Sequence, residues 1–531
     1  MEKKYPTITQ LISSSIEHNW TRKAFGIFVG GKEDEISFGD LWTLSQALAH
    51  RLKETNIGKG DQVILSGKAS IGWVAYALAC FRLGAVVVPI DTELGILETA
   101  NVYGLTKAKL VVADKERKEK WENLQVDIWE MEEKWDKKRF MKLPRFDGET
   151  VIDPLVDLAI IPFTSGTTAE VGKGVMLTHA NITSDVQMLC DALRLDNTDT
   201  IFTIAPWYHI TGFTCALAMP LARGITVLQV PKIEQIARVL PKLKDVTIIL
   251  AVPKFYHTTL FKKVLKGRKE KVAMKLVPKA VGKKLANKLL SNSPNFRFFV
   301  SGGAKLDAET GTGFQRMGFC IVDGYGLSET SPVATFTREG EYKPDCVGKP
   351  LPGVEVRINN QNEKGLGEIC VRGPNVMLGY YNNPEATAEV IDKDKWFHTG
   401  DIGHIKDGEL YIKGRLKNLI VTPSGKNVYP EEIESVLRKS LYVEDVLVFG
   451  SLGNHADSEI VTVEIYPDFK RFKEDEITEE SQIHEALWQE VKRLQKSLAN
   501  FKHINNSSLV RVRKEPFALT TKKEPKRNRS S

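Results

Sequence analysis

Cysteine is scarce and poorly placed for cross-linking. The six thiols, Cys80, Cys190, Cys215, Cys320, Cys346 and Cys370, are scattered along 531 residues with no CxxC pair and no histidine at ligand spacing. That pattern argues against a disulfide frame or a zinc site and predicts reduced, mostly buried small hydrophobes. Long apolar runs are missing too. The most apolar stretch, Tyr76 to Ile90, is short and carries Arg82, so no membrane span is expected. The opening MEKKYPTITQ has no apolar segment after its lysines, so a secretory signal is not expected either, and the expected location is the cytoplasm. No internal repeat is visible, and low complexity is confined to the tail from Lys522 onward, which reads as disordered.

What remains is the composition of a large globular protein, 42% hydrophobic and 27% charged. Its length exceeds one ordinary core and predicts at least two domains, one of them large. The net charge of +7 is local. The segment from Lys262 to Lys288 holds eleven Lys and Arg against one Glu, so the rest of the chain sums to −3. Aromatic residues are not interleaved with those cations, which argues against a nucleic-acid partner.

From Ile36 to Ile90 helix and strand signals alternate: LWTLSQALAHRLKE, a GKGD turn, QVILSG, WVAYALACFRLG and AVVVPI. Alternation of this kind predicts a parallel α/β layer. Thr200 to Ala205, TIILAVP from Thr247 and FRFFVS from Phe296 read as further strands, the last running into Gly302 and Gly303. Glycine-rich turns after such strands belong at the carboxyl edge of a sheet, where ligands bind. After Val347 short strands with frequent turns predict an antiparallel or barrel-like portion. Past Lys417 helix and strand signals alternate again in a smaller α+β unit. The expected division is a large domain over 1–413, a hinge over 414–417 and a small domain over 418–531.

The stretch FTSGTTAEVGKGVMLTH, Phe163 to His179, suits phosphate. Thr164, Ser165, Thr167 and Thr168 offer hydroxyls, Gly166, Gly172 and Gly174 let backbone come close, and Lys173 supplies a cation. It is not a Walker loop, because no Gly-Lys-Ser/Thr ending occurs at the right spacing. A Ser/Thr/Gly cluster standing alone would be a polar turn. Four further motifs follow: SGGAKL from Ser301, DGYGLSET from Asp323, HTGDIG from His398 and GRLKNLIVTPSGKNVYPEEIE from Gly414. Gly302, Gly303 and Ala304 would let a purine lie against backbone, with the Tyr325 ring for stacking. Glu329 is suited to a hard cation with its waters, Asp401 to the two hydroxyls of a ribose, and Arg415 to ribose or phosphate through a fixed fork of donors.

Taken together, these motifs in this order resemble the acyl-adenylate-forming superfamily, most of all the long-chain fatty acyl-CoA synthetases. The likeness spans almost the whole chain. It implies a large N-terminal domain of layered α/β sheets with a barrel-like part, and a small mobile α+β C-terminal domain. It implies ATP, Mg²⁺ and the co-substrate CoA. Tyr325, Asp401 and Arg415 would contact the nucleotide, with Asp323, Gly324, Gly326 and Ser328 in the same motif, and Glu329 with Thr168 would hold the metal. The family's first-half lysine near the carboxyl terminus is matched most closely by Lys523, with Lys522 beside it in ALTTKKEPKR. Lys417 matches the hinge, Gly425 and Lys426 the thiol's path, and His209 in APWYHITGF a position beside the carboxylate. His209 could orient the acid or gate its pocket, and could equally be a packed core residue.

The phosphate loop departs from the family pattern: Ala169 replaces a glycine, no proline precedes Lys173, and one residue is added between Thr168 and Lys173. Substrate class rests on the phrases NLIVTPSGKNVYPEEIE and VMLGYYNNPE and on the basic insertion, which resemble the long-chain members. Val281, Leu285 and Leu289 recur every four residues among lysines, so a helix there would have an apolar and a cationic face, suited to anionic lipid at the inner membrane surface or to solvent. The expected function is adenylation of a medium- to long-chain fatty acid followed by transfer to CoA. The alternatives are a different acid or a carrier-protein thiol as partner, or an inert nucleotide-binding homologue.

Overall fold

The computed structural model describes residues 5–29, 32–131, 136–140, 142–148, 150–164, 172–231, 235–239, 243–256, 293–422, 426–452, 459–518, 525 and 527. The chain forms two compact units: Met1–Val356 with Val371–Phe397, and Arg357–Cys370 with His398–Ser531. The fold is the expected mixture of layered α/β sheets and a smaller α+β portion.

The first unit holds two large sheets. One has nine strands in the order Lys349–Pro350, Thr335–Phe336, Cys320–Tyr325, Phe298–Ser301, Ile248–Ala251, Thr200–Thr203, Thr226–Gln229, Lys23–Val29 and Lys32–Ser37. Its six inner strands pair in parallel. Ile248–Ala251 is buried along its whole length, as a strand covered on both faces must be, and it reads as an unbroken apolar run for that reason. Parallel pairing sends the carboxyl ends to one edge. Ser301 lies opposite Asp323, so the SGGAKL and DGYGLSET turns leave the sheet side by side.

The second sheet of this unit runs Gly379–Tyr380, Val175–Thr178, Leu158–Ile160, Val86–Pro89, Gln62–Ser66, Leu110–Ala113 and Asp127–Glu130. Helix Ile71–Leu83 is capped at its start by the Ser70 hydroxyl and at its end by Gly84 in the left-handed region, and all its residues are buried. Such an all-round apolar helix belongs in the interior of a large domain. Helix His179–Leu193 starts with a reciprocal cap, Thr178 accepting from the Asn181 backbone while Asn181 accepts from the Thr178 N–H.

In the second unit, strands Phe397–Lys406 and Glu409–Arg415 form an antiparallel pair within a four-stranded sheet that also contains Glu355–Asn359 and Gly367–Arg372. A separate three-stranded sheet of Val443–Leu452, Glu459–Pro467 and Val510–Val512 follows. Ile433 and Leu437 of helix Pro430–Leu437, with Leu487 of helix Glu480–Leu494, share one buried cluster with Val446, Val463 and Ile465 of that sheet. Among the described residues no helix is long and apolar enough to cross a membrane. The basic segment 262–288 lies outside the described residues.

Candidate functional site

The phosphate loop begins and ends on paired backbone. Phe163 bridges Gly174, the Thr164 N–H donates to the Lys173 carbonyl at 3.0 Å, and the Lys173 N–H donates to the Thr164 hydroxyl at 3.1 Å. This neck fixes Thr164 and Lys173. Ser165, Gly166, Thr167 and Thr168, like Ala169, lie outside the described residues.

The Lys173 ammonium sits 4.7 Å from the centre of the Tyr380 ring, a cation–π distance. The Tyr380 hydroxyl in turn donates to Glu329 Oε1 at 2.9 Å. A tyrosine therefore links the loop lysine to the buried carboxylate of the DGYGLSET motif. Tyr380 is delivered by strand pairing, with Gly379 and Tyr380 opposite Met176 and Val175 just past the loop. Sequence reasoning did not assign Tyr380 a role; its only signal was its place in VMLGYYNNPE.

The turn that carries Glu329 is pinned from several directions. Met377 N–H donates to the Glu329 carbonyl at 2.9 Å. The Asn375 side-chain amide donates to the carbonyls of Thr330 and Val333 at 3.0 and 2.7 Å, and the Thr214 hydroxyl donates to the Ser331 carbonyl at 2.8 Å. Gly326 has no substitute here, because a Cβ would lie 1.7 Å from the Pro332 carbonyl oxygen. Glu329 is buried, and one of its carboxylate oxygens accepts from a neutral donor. That arrangement fits a hard divalent cation at this carboxylate.

Along the carboxyl edge of the nine-stranded sheet, Gly302 and Gly303 face open space where a Cβ would meet nothing within 4 Å, and Gly303 has a positive φ of 84°. Ala304 continues that turn. Tyr325 ends the neighbouring strand and is buried, as is Asp323. Burial pushes the Asp323 carboxyl up to about 7, against the opposing pull of Ser301 and Lys305. Gly324 follows it, and Ser328 opens the short 3-10 turn that contains Glu329.

His209 caps the helical turn Ile210–Phe213 and is half-buried, its ring 5.2 Å from that of Tyr208. Gly212 allows this turn to close on Pro206, whose carbonyl oxygen a Cβ would approach to 2.0 Å. The same helical run continues to Thr214, which ties it to the Glu329 turn.

Beside these turns lies a cavity of about 50 Å³ whose lining is entirely apolar side chains and glycine. Leu189 and Leu193 line one side, Val300 and Gly324 the sheet side, and Cys215 and Val333 come from the two segments that the Thr214 bond joins.

In the second unit Asp401 and Arg415 face each other across paired strands, with Arg415 Nε 2.8 Å from Asp401 Oδ1. Asp401 is buried and Arg415 partly exposed. Lys417 is exposed in the 3-10 turn Leu416–Asn418. Lys426 is exposed as well, its backbone paired with Thr422 in both directions. Gly425 and the tail lysines Lys522 and Lys523 lie outside the described residues.

A family model described as AMP-binding enzyme matches residues 16–381, and one described as AMP-binding enzyme C-terminal domain matches 417–531. A long-chain-fatty-acid–CoA ligase of Bacillus subtilis is 31% identical over 332 residues, covering 60% of this chain and 53% of that one, so the chain spans about half the length of that relative. A feruloyl-CoA synthase of an Amycolatopsis species is 27% identical over 432 residues, covering 78% and 80%. The crystal structure of MatB from Rhodopseudomonas palustris with ATP bound superposes with a TM-score of 0.78 at 25% identity, covering 98% of this chain and 97% of that one.

Proposed function

The chain belongs to the AMP-binding enzyme family, within the superfamily of adenylate-forming CoA ligases, and on that premise we propose that it activates a medium- to long-chain fatty acid and transfers it to CoA. The observation that carries the substrate class is the apolar cavity lined from Gly324, Val333 and Cys215. At about 50 Å³ it has room for a short stretch of aliphatic chain, and its lining presents that stretch with apolar contacts and no hydroxyl, amide or charged side chain. The name of the Bacillus relative agrees with this reading. The name of the Amycolatopsis relative supports a second reading, an aryl acid.

In the proposed first half the acid's carboxylate oxygen attacks the α-phosphorus of ATP, the bond to the bridging oxygen breaks, and pyrophosphate leaves. Two anions must meet, so cations and donors have to stand where charge builds up. Thr164 and Lys173 serve the phosphates, with Ser165, Gly166, Thr167 and Thr168 in the same loop. Tyr380 holds Glu329 in orientation. Mg²⁺ bound at Glu329, with Thr168 as a further ligand, would supply neutralising charge to the triphosphate. Gly302, Gly303, Ala304 and Tyr325 take the adenine, Asp401 takes the ribose hydroxyls, and Arg415 orients that carboxylate. Lys523 assists the first attack. In the second half the CoA thiolate attacks the acyl carbon and AMP departs, with Lys417 as the hinge residue of the 414–417 segment and Gly425 and Lys426 along the thiol's path.

The test is pyrophosphate release with ATP and Mg²⁺ across fatty and aryl acids, each with and without CoA. Release that needs a long-chain acid and turns over only with CoA supports the proposal. Release with aryl acids alone moves the assignment to the second reading, and silence with every acid overturns both.

A further inference from the structure

A cluster outside the proposed nucleotide and acyl groups brings three different metal-ligating side chains to one point. Glu368 and Cys370 alternate along strand Gly367–Arg372 and so project from the same face. His398 lies on the strand Phe397–Lys406, which neighbours it in the sheet. His398 Nδ1 is 2.8 Å from Glu368 Oε2 and 3.5 Å from Cys370 Sγ. One ligand atom from each of the three falls within 4.8 Å of the others. All three residues belong to the second unit.

The two separations from the nitrogen suit a tetrahedral ion, and the sulfur and oxygen lie within 4.8 Å of each other. With metal–nitrogen and metal–oxygen bonds of about 2.0 Å and a metal–sulfur bond of about 2.3 Å, tetrahedral angles place the nitrogen about 3.5 Å from the sulfur and about 3.3 Å from the oxygen. The nitrogen–sulfur spacing is met already, and the nitrogen–oxygen spacing is reached by opening one hydrogen bond by about half an ångström. The carboxylate is supported behind: its other oxygen, Oε1, accepts the Gly400 N–H at 3.1 Å, an outer-shell contact of the kind that orients metal ligands. The side chains of His398 and Glu368 are 22% and 18% exposed, so solvent can reach the cluster and complete a fourth position.

The donor set selects the ion. Thiolate and imidazole together exclude the hard cations, which take oxygen shells, and suit a borderline-soft divalent ion. We propose that Glu368, Cys370 and His398 form a zinc-class site, with water as fourth ligand, that clamps the turn leading to Asp401. Gly400 and Thr399 connect the cluster to that residue: the Thr399 hydroxyl donates to the Ile369 carbonyl at 2.8 Å and accepts the Asp401 N–H at 3.0 Å. The site is independent of the acid the enzyme uses.

The experiment uses the full chain stripped with a chelator and titrated with Co²⁺, whose bond to a thiolate gives a charge-transfer absorption band. The expected result is a saturable band at one ion per chain, abolished by Zn²⁺ competition. Cys370→Ser removes the band, Cys320→Ser keeps it, and Glu368→Gln, which preserves shape, weakens Co²⁺ binding about 10-fold or more. Absence of the band in the unsubstituted chain, or its persistence in a folded Cys370→Ser variant, overturns the proposal. Should Cys370→Ser fail to fold, unchanged affinity in Glu368→Gln overturns it equally.

Discussion

Glu329 carries the heaviest chemical demand of any single residue in the proposed reaction, because a buried carboxylate must face a cation. Glu329→Gln keeps the Tyr380 bond and the shape but removes the charge. Acid-dependent pyrophosphate release is expected to fall about 100-fold, with the unfolding midpoint nearly unchanged. Tyr380→Phe removes one hydrogen bond and is expected to cost about 10-fold, the equivalent of about 1.4 kcal/mol. A loss in Tyr380→Phe that disappears at high Mg²⁺ would assign the tyrosine to metal affinity.

Asp323 makes a separate prediction. Its carboxyl is raised by burial from an ordinary value near 3.8 to about 7, so the folded chain binds a proton there that the unfolded chain releases. Its contribution to stability is complete below pH 4 and is lost as pH rises toward 7, an effect of up to about 4 kcal/mol. Asp323→Asn should therefore unfold at a temperature less dependent on pH between 4 and 8 than the unsubstituted protein. An unchanged pH slope would contradict the assignment.

The residues just named differ in how far sequence announces them. Glu329 and Asp323 sit inside a motif whose chemistry is written in neighbouring positions. Tyr380 gains its place only when a two-residue strand pairs beside Val175, about two hundred positions earlier in the chain. The cysteine spacing is silent for a similar reason. Cys370 has no histidine near it in sequence, and strand pairing supplies His398 from twenty-eight residues away.

At the scale of elements, the glycine-rich turns divide into two kinds. Gly326 is required by the fold, since a Cβ there would collide with a backbone carbonyl. Gly302 has open space around its missing Cβ and is required, on the proposed function, only by the ligand. Gly326→Ala should destabilise by about 1–3 kcal/mol, as overpacking does, and lower activity with it. Gly302→Ala should leave unfolding within about 0.5 kcal/mol of the parent while raising KM for ATP several-fold. Thermal unfolding and nucleotide kinetics on the two variants separate these effects, and equal destabilisation by both would contradict the distinction. Both glycines are conspicuous in sequence. Their difference depends on Pro332 folding back over Gly326, which no local pattern records.

At the scale of the molecule, alternating helix and strand signals from Ile36 to Ile90 were enough to read a parallel α/β layer, because strands covered on both faces are continuous apolar runs. Strand order was not legible. The hairpin Lys23–Val29 and Lys32–Ser37 joins the sheet beside Thr226–Gln229, whereas the strands that immediately follow it in the chain build the other sheet. Such assignments are made by long-range packing. Mass-spectrometric identification of the products formed from ATP, Mg²⁺, CoA and an equimolar mixture of a long-chain fatty acid and an aryl acid tests the proposed ligase reaction. The expected products are AMP, pyrophosphate and the fatty acyl-CoA, with the fatty acyl-adenylate accumulating when CoA is omitted. Aryl-CoA as the main product, or neither adenylate nor thioester from the fatty acid, would contradict it.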